Sequence, residues 1–335
     1  MSQRKWKKRP KNSSWGNWGK KDKVGQLNII TDDVILSAAK EIRTGKRFCL
    51  SLPLDLPGND VLNSVRKEPR LKPIRREDAD YYNYRWDQKD ERLLDVGSDD
   101  SVLIDLQFST QWDGLCHRGS VFDCGLGNGP EPLYYNGYIA KDVSCVSYEE
   151  SLPIGIDNMA LTGVQGRGVL VDLKSELGTD TRVEVNYDLF MSILDKQNIK
   201  LKKGDILCLW TGLDELIVAN DKNLNTDIKN KGAVLDGWDE KLLRWIFSSE
   251  ISAIVSDNLA IEAIGKKIPA GYKGSALPLH NQCIFNMGMH LGELWYLCEL
   301  ANYLKHNKRH SFFLTAPPLR LKGAAGSPVT PVATV

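Results

Sequence analysis

The sequence predicts an α/β fold in one large domain, and three observations lead there. Apolar runs at residues 166–173, 204–212 and 251–256 have the length and hydrophobicity of buried strands. Stretches at 32–42 and 238–247 read as helices, so the two element types alternate along the chain. No break in composition divides residues 15–335, and 42% hydrophobic residues suffice for a substantial core.

The elements follow in order. Residues 1–14 carry Arg4, Lys5, Lys7, Lys8, Arg9 and Lys11 with almost no apolar side chains, and read as a flexible basic arm. Order is expected from Trp15-Gly16-Asn17-Trp18-Gly19. Thr31 is placed to cap a helix over 32–42, with Asp32 and Asp33 in its first turn and Gly45 beyond its end. Residues 47–54 read as a strand stopped by proline, and Pro57-Gly58 as a turn. The charged residues 64–100, with Tyr81-Tyr82-Asn83-Tyr84-Arg85-Trp86, read as an irregular surface excursion. Residues 101–106 alternate as a strand leading into a motif, and 118–133 form a glycine- and proline-rich loop. Residues 219–232 are a polar insertion, 283–300 read as an apolar helix, and 311–315 as the last strand.

Several function classes are excluded. The chain has 44 basic and 43 acidic residues, a net charge of +1, so no global field favours nucleic acid. Neither Gly-x-Gly-x-x-Gly nor a P-loop is present, and no nucleotide cofactor is expected. No apolar run approaches the roughly 18 residues of a membrane span, and no secretory leader is read. A cytoplasmic protein without membrane partners is therefore expected. Seven cysteines at 49, 116, 124, 145, 208, 283 and 298 form no Cys-x-x-Cys pair and read as small buried hydrophobes in a reducing compartment.

The densest chemistry lies in Gln107-Phe108-Ser109-Thr110-Gln111-Trp112-Asp113-Gly114-Leu115-Cys116-His117. Asp113 and His117 are four apart, and Trp112 is placed to wall a pocket. Cys116 is a buried small residue before it is a nucleophile. Later, Leu277-Pro278-Leu279-His280 precedes Gly288-Met289-His290-Leu291-Gly292-Glu293. Glu293 is bracketed by apolar residues, and a buried carboxylate is costly unless paired or bound to a metal.

These stretches resemble the putative cyclase family, which includes bacterial kynurenine formamidases and isatin hydrolases. Its signature is His-x-Gly-Thr-His-x-Asp-x-Pro-x-His, which Thr110, Asp113 and His117 match. Gln107 and Gln111 stand where the family has two metal-binding histidines, Ser109 replaces its glycine and Leu115 its proline. The resemblance continues through the Trp-Gly…Gly-x-Leu-Asn-x-x-Thr stretch, Tyr135-Asn136-Gly137-Tyr138 and Gly166-Arg167-Gly168-Val169-Leu170. It includes His280 and Glu293, 13 apart as in a longer branch of the family, and the final Pro317-Pro318-Leu319…Gly326-Ser327-Pro328 tail. It spans about residues 15–333. It implies a single cyclase-family domain with a mixed-sheet or barrel-like core, flanking helices and a homo-oligomer, dimer or tetramer. The Arg167 side chain is expected to bridge loop backbones.

The resemblance also implies a hydrolase of amide or lactone bonds in a small aromatic or cyclic metabolite. Asp113, His280, Glu293 and the Gln111 oxygen would hold one divalent ion. A glutamine oxygen is a poorer zinc ligand than imidazole, so manganese is as suitable as zinc. His117 would act as general base and acid beside Asp113, and Trp112, Trp18 and Tyr138 would form an aromatic wall. His290 is not expected to bind the ion. Two other readings stay open because two family histidines are glutamines. One is a metal-free cyclase, lactonase or dehydratase using Asp113, His117 and Glu293. The other is a catalytically silent binder of a small molecule.

Overall fold

A curled mixed sheet organises the chain, which the computed structural model describes over residues 6–58, 61–77, 79–140 and 153–335. Arg4 and Lys5 of the basic arm, Asp78 of the excursion and Cys145 lie outside the described residues. Within those residues the sheet has nine strands: β1 (Arg47–Cys49), β2 (Gln111–Asp113), β3 (Gln165–Asp172), β4 (Ile206–Trp210), β5 (Ala253–Ser256), β6 (His290–Glu293), β7 (Ser311–Thr315), β8 (Gly326–Pro328) and β9 (Val332–Thr334). Their order is β1-β9-β7-β3-β4-β5-β6-β2-β8. β3 to β6 run parallel, and the strands on both flanks are antiparallel.

The parallel strands are apolar on both faces because both faces are covered. Val169, Val171, Leu207, Leu209 and Ile254 pack on one side with Phe190 and Ile193 of α1 (Tyr187–Lys196) and Leu242 and Ile246 of α2 (Glu240–Ser248). Leu170, Cys208 and Val255 alternate to the other side, against Leu300 and Leu304 of the helix Cys298–His306. Asn186 and Asp239 cap α1 and α2 by accepting backbone N–H bonds from Leu189 and Lys241.

The remaining elements correct the reading in instructive ways. The helix predicted over 32–42 spans Asp32–Ala39; Thr31 is extended at its N-cap but its side chain makes no capping bond. Beyond the helix, Glu41 accepts bonds from Arg167 (3.1 Å) and Ser311 (2.9 Å). Arg167 also donates to Asp205 (2.8 Å), so it bridges carboxylates rather than loop backbones. The basic segment is no free arm over its described part: the Lys7 and Lys8 N–H groups bond the Cys124 carbonyl, and Ser13 and Ser14 are buried on Asn286 and Met287. Residues 64–103 form small antiparallel ribbons, Arg70–Pro73 with Asp100–Leu103 and Tyr84–Arg85 with Val96–Gly97. Residues 101–103 therefore belong to an exposed ribbon, not to a core strand feeding the motif. Tyr81, Tyr84 and Trp86 pack on one another, with centroids 5.5–6.2 Å apart.

The run 283–300 is not one helix. It comprises a π-helical turn (Asn281–Met287), strand β6 and the start of the helix Cys298–His306. Gly288 ends the π-helical turn in the left-handed region, and its carbonyl accepts the Gln26 N–H at 2.9 Å. A Cβ on Gly25 would stand 1.9 Å from that carbonyl oxygen, and Gly25 itself has φ +63°. Gly25→Ala is thus expected to cost about 2–5 kcal/mol through overpacking and backbone strain. Chemical denaturation measures it; a loss under about 1 kcal/mol would show that this contact yields freely.

Candidate active site

β2 lies between β6 and β8, with Gln111 opposite Glu293 and Pro328, and Asp113 opposite Leu291 and Gly326. Side chains alternate across a strand. Gln111, Asp113, Leu291 and Glu293 therefore share one sheet face, and Trp112 takes the other. The fully buried Trp112 packs edge-on to Trp295 (5.1 Å), and its indole N–H donates to the Ala316 carbonyl. It belongs to the core beneath the site, which corrects its placement in a pocket wall.

His280 reaches the same face from the turn preceding the π-helical segment. Its Nε2 lies 3.3 Å from Glu293 Oε1 and 4.0 Å from Asp113 Oδ2. Asp113, His280 and Glu293 are all buried, and one ligand atom from each lies within 4.8 Å of the others. The Gln111 amide donates to Glu293 Oε2 at 3.0 Å. That bond fixes which end of the amide is nitrogen, since an oxygen there would face the carboxylate. Gln111 Oε1 and both Asp113 carboxylate oxygens are buried with no hydrogen-bond partner. Three orphaned oxygens beside a carboxylate and an imidazole form a donor set that fits a hard or borderline divalent cation.

Electrostatics agree. Burial raises the Asp113 pKa above its ordinary value, only partly opposed by His117 and His280 and, to a smaller extent, Arg66. Burial likewise opposes charge on Glu293, but the hydrogen bond and charge of His280 outweigh it and hold the carboxyl low. Burial disfavours the His280 imidazolium, yet Glu262 and Glu293 together push it up to about 9. With these acids around it, the pocket attracts positive charge.

Glu262 is the residue that sequence reading missed. Its carboxylate accepts His280 Nδ1 at 2.7 Å and the His280 and Leu279 N–H groups at 2.8 and 3.1 Å. This leaves Nε2 directed at the acids, the arrangement by which a carboxylate orients a metal-binding histidine. Ala260 and Ile261 before it, and Leu294 after Glu293, have positive φ of +72°, +58° and +56°. Such backbone costs about 1–3 kcal/mol per residue and gathers at functional sites. Glu262→Gln is expected to weaken divalent-cation affinity about 10–100-fold without unfolding the protein. A competitive zinc titration checks this; unchanged affinity would remove Glu262 from the site.

His117 completes the group. Its Nε2 is 3.8 Å from Asp113 Oδ1, and its Nδ1 meets the Gln107 amide at 3.2 Å. Arg66, also missed, donates to the Gln107 carbonyl at 2.6 Å. Thr110 is structural: it accepts the Leu52 N–H and donates to the Leu294 carbonyl next to Glu293. Cys116 is buried against Ala324, and His290 is buried on the opposite face of β6, where burial drives it down to about 3. Tyr138 is half-buried beside the cluster holding Leu115 and Cys116, its hydroxyl donating to the Lys21 carbonyl. Trp18 is half-buried in the turn after Trp15. Trp15, fully buried and edge-on to Phe285 (5.1 Å), packs in the cluster with Leu115 and Cys116, with Trp6 against it.

A family model described as putative cyclase matches residues 49–263, more than half of the chain. The solved structure of a novel cyclase is similar at TM-score 0.75 and 30% identity, over 96% of this chain and 97% of that one. Isatin hydrolase A from Labrenzia aggregata, bound to benzyl benzoate, is similar at TM-score 0.55 and 13% identity, over 89% and 95% of the two chains. Isatin hydrolase A from Ralstonia solanacearum is similar at TM-score 0.54 and 12% identity, over 90% and 97%. No curated protein matches significantly. At such low identities the isatin hydrolases share the fold. Among the described residues, no helix is long and apolar enough to cross a membrane.

Proposed function

The chain belongs to the cyclase family, and from that premise we propose that it is a metal-dependent hydrolase of an amide or lactone bond in a small aromatic or cyclic molecule. One observation carries the reading: Asp113, His280 and Glu293 converge in a buried site whose Asp113 and Gln111 oxygens have no partner.

Asp113, Glu293, His280 Nε2 and Gln111 Oε1 are the holding groups, an oxygen-rich set that suits manganese as well as zinc. A divalent cation bound there supplies Lewis-acid polarisation of a carbonyl and activates water near neutral pH. His117 Nε2 takes the proton of the attacking water and returns it to the leaving nitrogen or oxygen. Gln107 steadies that ring at Nδ1, and its amide, turned over, offers Oε1 to an Nδ1–H. Tyr138 is our candidate for contact with an aromatic substrate, since it packs in the cluster containing Leu115 and Cys116, next to His117. A cytoplasmic homo-oligomer belongs to the same proposal.

Elemental analysis of protein purified without chelator or metal-binding tag tests the reading, followed by assays on N-formyl anilides, isatin-like cyclic amides and lactones. Near-stoichiometric zinc or manganese with turnover of one class is expected. No metal, and no activity when ions are restored, would overturn it in favour of a metal-free enzyme or a binder.

A further inference from the structure

A cavity of about 270 Å³ opens beside the carboxyl ends of β4 and β5, where α/β sheets commonly place ligands. Its lining shares no residue with the hydrolase site. Leu213 follows β4, Leu259 follows β5, and Val234 and Ile228 complete an apolar wall. Leu213, Ile228 and Val234 are buried, whereas Ile264 in the same lining is 45% exposed.

The charges in this lining are of one sign. Arg182, Lys229 and Lys231 contribute to it, and no carboxylate does. Lys231 is spoken for, bonded to Asp227 (3.1 Å) and the Asp180 carbonyl (3.0 Å). Arg182 and Lys229 have no ion-pair partner among the described residues, and Arg182 Nε is buried with nothing to donate to. A guanidinium half-withdrawn from water beside apolar walls is costly until an anion meets it. An inorganic anion would satisfy the charge and leave the apolar wall wet.

We propose that this cavity binds a small amphipathic monoanion, a single-ring aromatic or branched aliphatic carboxylate. The carboxylate pairs with the Arg182 fork, Lys229 adds to the field, and the apolar body lies along Leu213, Ile228, Val234 and Leu259. The volume falls just below the roughly 300–1,000 Å³ of sites for drug-sized ligands, which sets the one-ring size.

Calorimetric titration of the full, metal-containing protein with phenylacetate and its neutral isostere phenylacetamide tests this. Phenylacetate is expected to bind at least about tenfold more tightly than the amide, with Arg182→Gln removing that preference and Arg182→Lys keeping part of it. Equal binding of the two probes, or no binding of phenylacetate, overturns the proposal. So does phenylacetate affinity unchanged in Arg182→Gln, the result expected if the carboxylate were captured at the metal centre instead. Should Arg182→Gln fail to fold, Ile264→Trp narrows the cavity from an exposed position. Loss of phenylacetate binding there supports the site, and unaltered binding overturns it.

Discussion

His117→Ala is expected to lower turnover about 10²–10⁴-fold, the usual share of a positioned acid–base group, while the fold and the bound cation stay in place. The asymmetry follows from geometry. His117 is partly exposed, its side chain 17% accessible, and it touches the Asp113 and Gln107 side chains rather than the core. It lies outside the trio of Asp113, His280 and Glu293, whose ligand atoms converge closely enough to hold a cation. Melting temperature and metal content should match the parent protein while kcat falls. If kcat survives in His117→Ala, the proton is moved by another group and the proposed chemistry fails.

Asp113→Asn should separate function from stability. In the metal-free protein the Asp113 carboxylate is fully buried, both oxygens lack partners, and burial drives its pKa upward. A buried carboxylate that accepts no hydrogen bond, with the His117 and His280 rings no nearer than 3.8 and 4.0 Å, is a costly feature for a fold to carry. Replacing it with a neutral amide should leave the metal-free protein as stable as the parent, or more so. Added zinc or manganese should then stabilise the parent but not the variant. A ligand at 100 times its dissociation constant contributes about 2.7 kcal/mol, which a thermal-shift titration resolves. An equal shift in both proteins would show that the ion binds elsewhere. A variant markedly less stable than the parent without metal would mean that Asp113 is a structural partner, not a waiting ligand.

The alternation of apolar runs was enough to read the α/β class and three of the four strands that run parallel, β3, β4 and β5, because a strand buried on both faces announces itself by composition. The motif residues also came together: Gln111, Asp113, His280 and Glu293 meet in space although up to 182 positions separate them. What sequence reading misjudged was which element carries each residue. Residues 283–300 look like one helix because a π-helical turn, a buried strand and a helix start are all apolar, and periodicity cannot divide them. Trp112 was misassigned for a simpler reason. If Gln111 and Asp113 face the site from a strand, their neighbour must face away. The charge run at the N-terminus suggested a loose arm, but backbone N–H groups and Ser13 and Ser14 tie its described part down, and a net-charge argument does not see them. Glu262 carried a legible signal that went unused: it sits in Leu259-Ala260-Ile261-Glu262-Ala263-Ile264, the same apolar bracket that marked Glu293.

The pairing of the N-terminal segment with the π-helical turn also sets an order of events during synthesis. Ser13, Ser14 and Trp15 leave the ribosome long before their partners Asn286, Met287 and Phe285, which lie 270–273 residues later. β1 waits in the same way for β9, and β2 for β6 and β8. Contacts so distant in sequence close slowly, and an apolar strand such as β2, made early and paired late, is exposed to mispairing meanwhile. The site therefore cannot assemble piecemeal as the chain emerges. A nascent chain halted before β6 would hold Asp113 and His117 but neither Glu293 nor a neighbour for β2, and the proposed activity should appear only once β6 and β8 have emerged.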